Sequence, residues 1–118
     1  MCNDGSDVRP DRHTALTPVI VLTTVGTTFD PHPLATQLVE KRLAACVNVI
    51  PQIHSVYRWQ GKIENDSEQL LLIKTVQERL HELKRALFAA HPYEVPEFVV
   101  LRPEELSDAY RAWLVSSV

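Results

Sequence analysis

The chain has 118 residues, a net charge of −3 and a hydrophobic share of 45%. That is one domain's length with an ordinary globular balance, and an acidic chain without a basic cluster excludes a nucleic-acid reader, because phosphate binding needs concentrated Lys and Arg. The longest apolar runs, such as Leu70-Leu71-Leu72-Ile73, are too short to span a bilayer, so no membrane partner is expected.

The N-terminus lacks a basic segment followed by an apolar core, so no secretory signal is expected. Two cysteines, Cys2 and Cys46, cannot define a disulfide framework, and the expected compartment is the cytoplasm. Residues 1–17 are polar and Pro-containing and read as a disordered tail that holds Cys2 and His13. Residues 18–118 then form one domain.

Pro18 to Val25 reads as a first strand, with Val19-Ile20-Val21-Leu22 apolar on both faces. Gly26-Thr27-Thr28 breaks it. Asp30 followed by Pro31 predicts an N-cap and a proline at the first helical position. Leu34, Leu38 and Leu43, with Ala35 and Val39, give the stripe of a helix that ends near Ala44. Cys46 to Trp59 reads as a long second strand, in which Pro51 demands a bulge or an outward edge. Ile53, Ser55, Tyr57 and Trp59 share one face of it. Gln60-Gly61 reverses the chain into a hairpin. The returning strand runs through Leu70 to Lys74, and its polar start, Glu64 to Gln69, predicts an exposed or bulged stretch.

Thr75-Val76-Gln77-Glu78 has the form of a capping box. Leu80, Leu83, Leu87 and Ala90 mark a second helix, which Pro92 stops near His91. Phe98 to Leu101 is a fourth strand. Ser107-Asp108 opens a terminal helix with Ala109, Tyr110, Trp113 and Leu114 on its apolar side. This order is the split βαβ arrangement of an α+β, ferredoxin-like sandwich: an antiparallel sheet, a long hairpin between the second and third strands, and a C-terminal helix. In such a sheet one face is normally wet, yet Val19–Leu22, Leu70–Ile73 and Phe98–Leu101 are apolar on both. Exposing a whole apolar face forgoes about 1.5–3 kcal/mol for each large side chain, so further subunits are expected to cover it.

Three segments, taken in order, resemble the CutA divalent-cation tolerance family: Lys41-Arg42-Leu43-Ala44-Ala45-Cys46-Val47-Asn48, Tyr57-Arg58-Trp59-Gln60-Gly61-Lys62-Ile63, and His91-Pro92-Tyr93-Glu94-Val95-Pro96-Glu97. Leu72-Ile73-Lys74-Thr75 adds to them, and the resemblance runs from Val19 to Leu114. It implies a homotrimer like the PII signalling proteins, with hairpins wrapping neighbouring subunits. It also implies binding of divalent metal ions, Cu2+ above all, and a part in tolerance of them. Some members carry a cysteine on the first strand where this chain has Thr23.

Copper or zinc takes thiolate, imidazole and carboxylate ligands. Cys46, His91 and Glu94 are the metal candidates, although no paired-ligand spacing joins them. Each also has a structural reading: Cys46 as a small buried hydrophobe, His91 as a helix-terminal imidazole, and Glu94 with Glu97 as a salt-bridged turn. Tyr57 and Trp59 read as interface anchors. Lys74, ending an apolar strand, needs an anionic partner, either Glu94 or a ligand. Tyr57, Trp59, Lys74, Tyr93 and Glu97 therefore form the candidate ligand cleft or interface. That supports a second reading, a PII-like sensor of a small anion or a trimeric scaffold for protein partners. No phosphate loop or G-x-S-x-G elbow occurs, so an enzyme is not expected, and no organic cofactor either.

Overall fold

The computed structural model describes residues 16–118; most of the expected tail, with Cys2 and His13, lies outside them. The elements are β1 (Pro18–Gly26), α1 (His32–Glu40), β2 (Cys46–Trp59), β3 (Lys62–Val76), a 3-10 turn (Gln77–Arg79), α2 (Leu80–Ala90), β4 (Val99–Leu101) and α3 (Asp108–Ser116). The strands form one antiparallel sheet in the order β2-β3-β1-β4, which is the ferredoxin-like arrangement. Helices α1 and α2 cover one face. Between them and the sheet, Val21 and Ile73 pack with Leu34, Leu38, Leu83 and Leu87.

Local chemistry moves several boundaries. Helix α1 stops at Glu40 rather than near Ala44, because Arg42 takes a left-handed conformation (φ 59°). The amides of Leu43 and Ala44 then both turn back to the carbonyl of Leu38, so Leu43 stays in the core without being helical. Asp30 accepts from the His32 amide at 3.1 Å, and Pro31 is the capping residue. The capping box does not form. Thr75 belongs to β3, is fully buried and donates to the carbonyl of Leu43 at 2.7 Å, while Glu78 accepts from the amide of Thr17. A long-range partner outcompetes the local cap.

The irregularity at Pro51 is real: three steps along β2 from Ile50 to Ile53 match two along β3 from Leu70 to Glu68. Strand β3 itself runs unbroken; its polar start as far as Ser67 is the returning half of an exposed arm, whereas Glu68 and Gln69, expected to be exposed or bulged, are buried. At the arm's tip Gln60 (φ 51°) and Gly61 (φ 80°) make a two-residue turn of the type that suits the strand twist. A Cβ at Gly61 would meet no atom within 4 Å. Gly61→Ala should therefore cost only the left-handed backbone term, about 1 kcal/mol, read as a lowered midpoint in denaturant unfolding.

Alternation along β1 and β3 puts Ile20, Leu22, Leu70, Leu72 and Lys74 on the face away from α1 and α2, joined by Cys46, Asn48 and Ile50 of β2. Helix α3 covers only one end of it, where Ala45 and Val76 pack on Leu114, Val115 and Val118. Its buried side is thus Leu114 and Val115; Tyr110 and Trp113 remain 38% and 44% exposed, contrary to the stripe read from the sequence. Elsewhere on that face Ile20, Leu22, Leu70 and Leu72 are only half-buried, and the neighbouring Ile50, Val99 and Leu101 are exposed.

Candidate functional site

The open face changes character along its length. Glu64, Asp66 and Glu68 follow one another at two-residue steps on β3, an acidic row on the arm. The apolar stretch of Leu70 and Leu72 comes next, then Lys74 beside α3. Polar chemistry concentrates at the acidic end, where the chain leaving α2 crosses the end of β1.

His91 sits there because Pro92 stops α2 one residue earlier and turns His91 extended (φ −73°, ψ 133°). Its Nε2 donates to the Thr24 carbonyl at 2.9 Å and lies 3.2 Å from Thr23 Oγ1; its Nδ1 accepts from the Tyr93 amide at 3.1 Å. Both ring nitrogens are occupied within the chain. Burial pushes the imidazole below its ordinary pKa, against the Thr24 carbonyl and the charge of Glu68, so His91 is a neutral ring with its proton on Nε2. Thr23 therefore partners His91 on the inner face.

Tyr93 carries the turn outward. Its ring lies 5.0 Å from that of His91, and its hydroxyl donates to Glu68 Oε2 at 2.7 Å. Burial, with the bond to Glu68, holds the phenol well above its ordinary pKa. Glu68 is 7% exposed. Glu97 is half-buried, and burial together with the nearby charge of Glu68 raises its carboxyl above the usual range. Two carboxyls thus share a partly desolvated corner, and among the described residues the ion pair formed is Arg79 with Glu82, elsewhere. Gln69 fastens the corner by donating to the carbonyls of Gly26 and Phe29 at 2.9 and 2.7 Å. Farther along the arm the Tyr57 hydroxyl donates to Asp66, which pushes the phenol up to about 12.

The candidate residues from the sequence therefore divide. Tyr93 and Glu97 meet at the corner around Glu68, with His91 behind them. Tyr57 and Trp59 are on the exposed arm, and Glu94 is an exposed turn residue. Cys46 pairs in register with Lys74, which pairs with Ile20, at the far end of the sheet. Six residues of strand, roughly 20 Å, separate Lys74 from Glu68. Cys46, His91 and Glu94 are not drawn together within one chain, and among the described residues no three His, Cys, Asp or Glu side chains gather as a metal cluster. Among the described residues Lys74 finds neither Glu94 nor another carboxylate: its ammonium lies 5.7 Å from the centre of the Tyr110 ring. Glu68 and Gln69, the buried pair of the corner, escaped the sequence reading; two polar residues opening an apolar run were the available signal.

The fold and this corner define a small α+β protein of the ferredoxin-like class, with an acidic corner and an open apolar sheet face. A family profile described as CutA1 divalent ion tolerance protein matches residues 19–117. The divalent-cation tolerance protein CutA of Thermus thermophilus is 46% identical over 95 residues, covering 80% of this chain and 92% of its own. Protein CutA, chloroplastic, of Arabidopsis thaliana is 42% identical over 114 residues, 96% of this chain, and this chain spans 63% of its length. Among solved structures, the Thermus thermophilus Cut A1 superposes with a TM-score of 0.81 at 44% identity, covering 86% of this chain and 98% of that one. CutA1 from Oryza sativa gives 0.82 at 38%, covering 87% and 94%. The chain belongs to the CutA1 divalent ion tolerance family.

Proposed function

We propose that this chain is a cytoplasmic homotrimer that binds divalent cations, copper(II) most tightly, and so contributes to divalent-cation tolerance; it is a binding protein rather than an enzyme. The observation that carries the reading is the carboxyl pair Glu68 and Glu97, partly desolvated and mutually repelling, with no basic side chain ion-paired to either among the described residues. A cation relieves that repulsion. Oxygen ligands alone favour hard ions, but the stability order of first-row divalent metals peaks at copper for any mixed oxygen and nitrogen site. Cys46, His91 and Glu94 stay as candidate ligands on the terms their positions set. Cys46 and Glu94 would serve from different subunits, and His91 would have to release one of its two hydrogen bonds. The uncovered apolar face supports the trimer.

Calorimetric titration of copper(II) into chelator-stripped protein, with magnesium as control, tests the reading. Saturable binding at a fixed ratio per trimer is expected, weakened about a hundredfold or more in Glu68→Gln/Glu97→Gln, where each of the two lost charge-assisted contacts is worth about 1.5–3 kcal/mol. Parallel titrations of Cys46→Ala and Glu94→Gln assign those ligands. Unsaturable heat that is the same in the double variant would overturn the corner as a metal site.

A further inference from the structure

The far end of the open face holds a feature that cation binding leaves unused. A cavity of about 290 Å³ lies between the ends of β1 and β3, the segment after β4, and α3. That is the volume of roughly ten water molecules, enough for one small organic molecule. Ile20, Pro103, Leu106 and Leu114 make its walls apolar. Its polar groups are few and of one kind. Lys74 is half-buried, reaches the cavity over the Tyr110 ring, and among the described residues makes no ion pair and no side-chain hydrogen bond. Ser107, in the capping position of the nine-residue α3, lines the same cavity, and its hydroxyl makes no capping bond. The first amides of α3, which no carbonyl of the helix can satisfy, lie behind it. An ammonium, an exposed hydroxyl with no capping bond and the positive end of a helix dipole line one half-open, largely apolar cavity.

We infer that this cavity is a binding site for a small monocarboxylate with an apolar body. Lys74 and Ser107 would take the carboxylate, and Ile20, Leu106 and Leu114 the hydrocarbon. A phosphate or a nucleotide is the poorer fit. The cavity supplies one ammonium, and its remaining charged residue, Glu105, repels a dianion. All these residues come from one chain, and the site is separate from the acidic corner.

The test is fluorescence titration of isovalerate into metal-free protein carrying Trp59→Phe. This leaves Trp113, whose ring is 5.3 Å from that of Tyr110, as the sole indole. A saturable change in emission is expected. Lys74→Met should weaken it about tenfold or more, and Ser107→Ala about threefold, the usual yields of a charged and a neutral hydrogen bond. Ser107→Ala breaks no capping bond and no side-chain hydrogen bond among the described residues, so it reports even if Lys74→Met fails to fold. Isobutanol, of like shape without charge, and inorganic phosphate should both fail to saturate. A flat response to isovalerate, equal binding by the Ser107→Ala protein and its parent, or saturation by isobutanol or phosphate at the same concentration would overturn the assignment. None of these results bears on the copper titration.

Discussion

A Leu72→Asp chain is expected to run as a folded monomer in size-exclusion chromatography with light scattering, and the parent as the trimer proposed above. Leu72 sits at the middle of the open face, opposite Leu22 on β1 and Asn48 on β2. It is only half-buried by its own chain. In the monomer an aspartate there meets water and costs little. In an assembly that closes over the face, each copy loses about 1.5–3 kcal/mol of apolar burial and must also desolvate a carboxylate, which costs more. Three copies multiply the penalty. The helix-packed core of Val21, Ile73 and Leu83 is on the other side of the sheet, so far-ultraviolet dichroism should be retained. Val39→Asp, on an exposed stretch of α1, is the matched control and should leave the mass unchanged. A Leu72→Asp protein that keeps the trimer mass would show that the apolar face is not the subunit interface.

The arm makes the same argument from its own residues. Val56 and Ile63 are 67% and 57% exposed, and neighbouring register pairs place them on one side of the hairpin, opposite Tyr57 and Trp59. Among the described residues nothing covers the apolar groups on either side of this two-stranded ribbon, and such ribbons are marginal alone. Sheet face and arm together present the surface that subunit contact would bury.

That surface is legible in the sequence because two-sided apolar strands contradict the alternation expected of a half-solvated sheet. The hairpin is legible for a local reason too: Gln60-Gly61 carries its own turn chemistry. What escapes the sequence is decided by distant partners. Thr75 and Glu78 have capping-box spacing, but the hydroxyl of Thr75 finds the Leu43 carbonyl, 32 residues away. Leu43 keeps helical spacing but leaves the helix because Arg42 turns left-handed. Tyr110 and Trp113 look like core on a helical wheel, yet the helix is rotated so that Leu114 and Val115 go in. The candidate site divides for the same reason. Cys46 and His91 look like one ligand set in a list of residues, but strand order places them at different ends of the sheet.

Replacing His91 by alanine should lower the unfolding free energy by about 2–4 kcal/mol and remove a pH dependence as well. The loss has two parts. The Thr24 carbonyl and the Tyr93 amide each lose a partner where water is scarce, and the space of the ring is left behind. The pH effect follows from the depressed imidazole pKa. At neutral pH both folded and unfolded His91 are uncharged. As pH falls below the ordinary value of 6.5, the unfolded chain takes a proton that the buried ring refuses, so stability declines until pH passes the lower folded value. Glu97 acts in the opposite sense and at lower pH. Its carboxyl is raised above the ordinary 4.5, so the folded state accepts a proton first, and stability is gained as pH falls through that raised value. Denaturant unfolding of metal-free protein at fixed concentration, followed from neutral pH down to the ordinary carboxyl value of 4.5, separates the two. Alanine at position 91 should flatten the decline seen just below pH 6.5 and leave the later contribution of Glu97 in place. Glu97→Gln should do the converse, raising the midpoint at neutral pH while weakening copper. Equal pH slopes in the parent and the His91→Ala protein would overturn the imidazole argument, and a Glu97→Gln midpoint that does not rise at neutral pH would overturn the repulsion between Glu97 and Glu68.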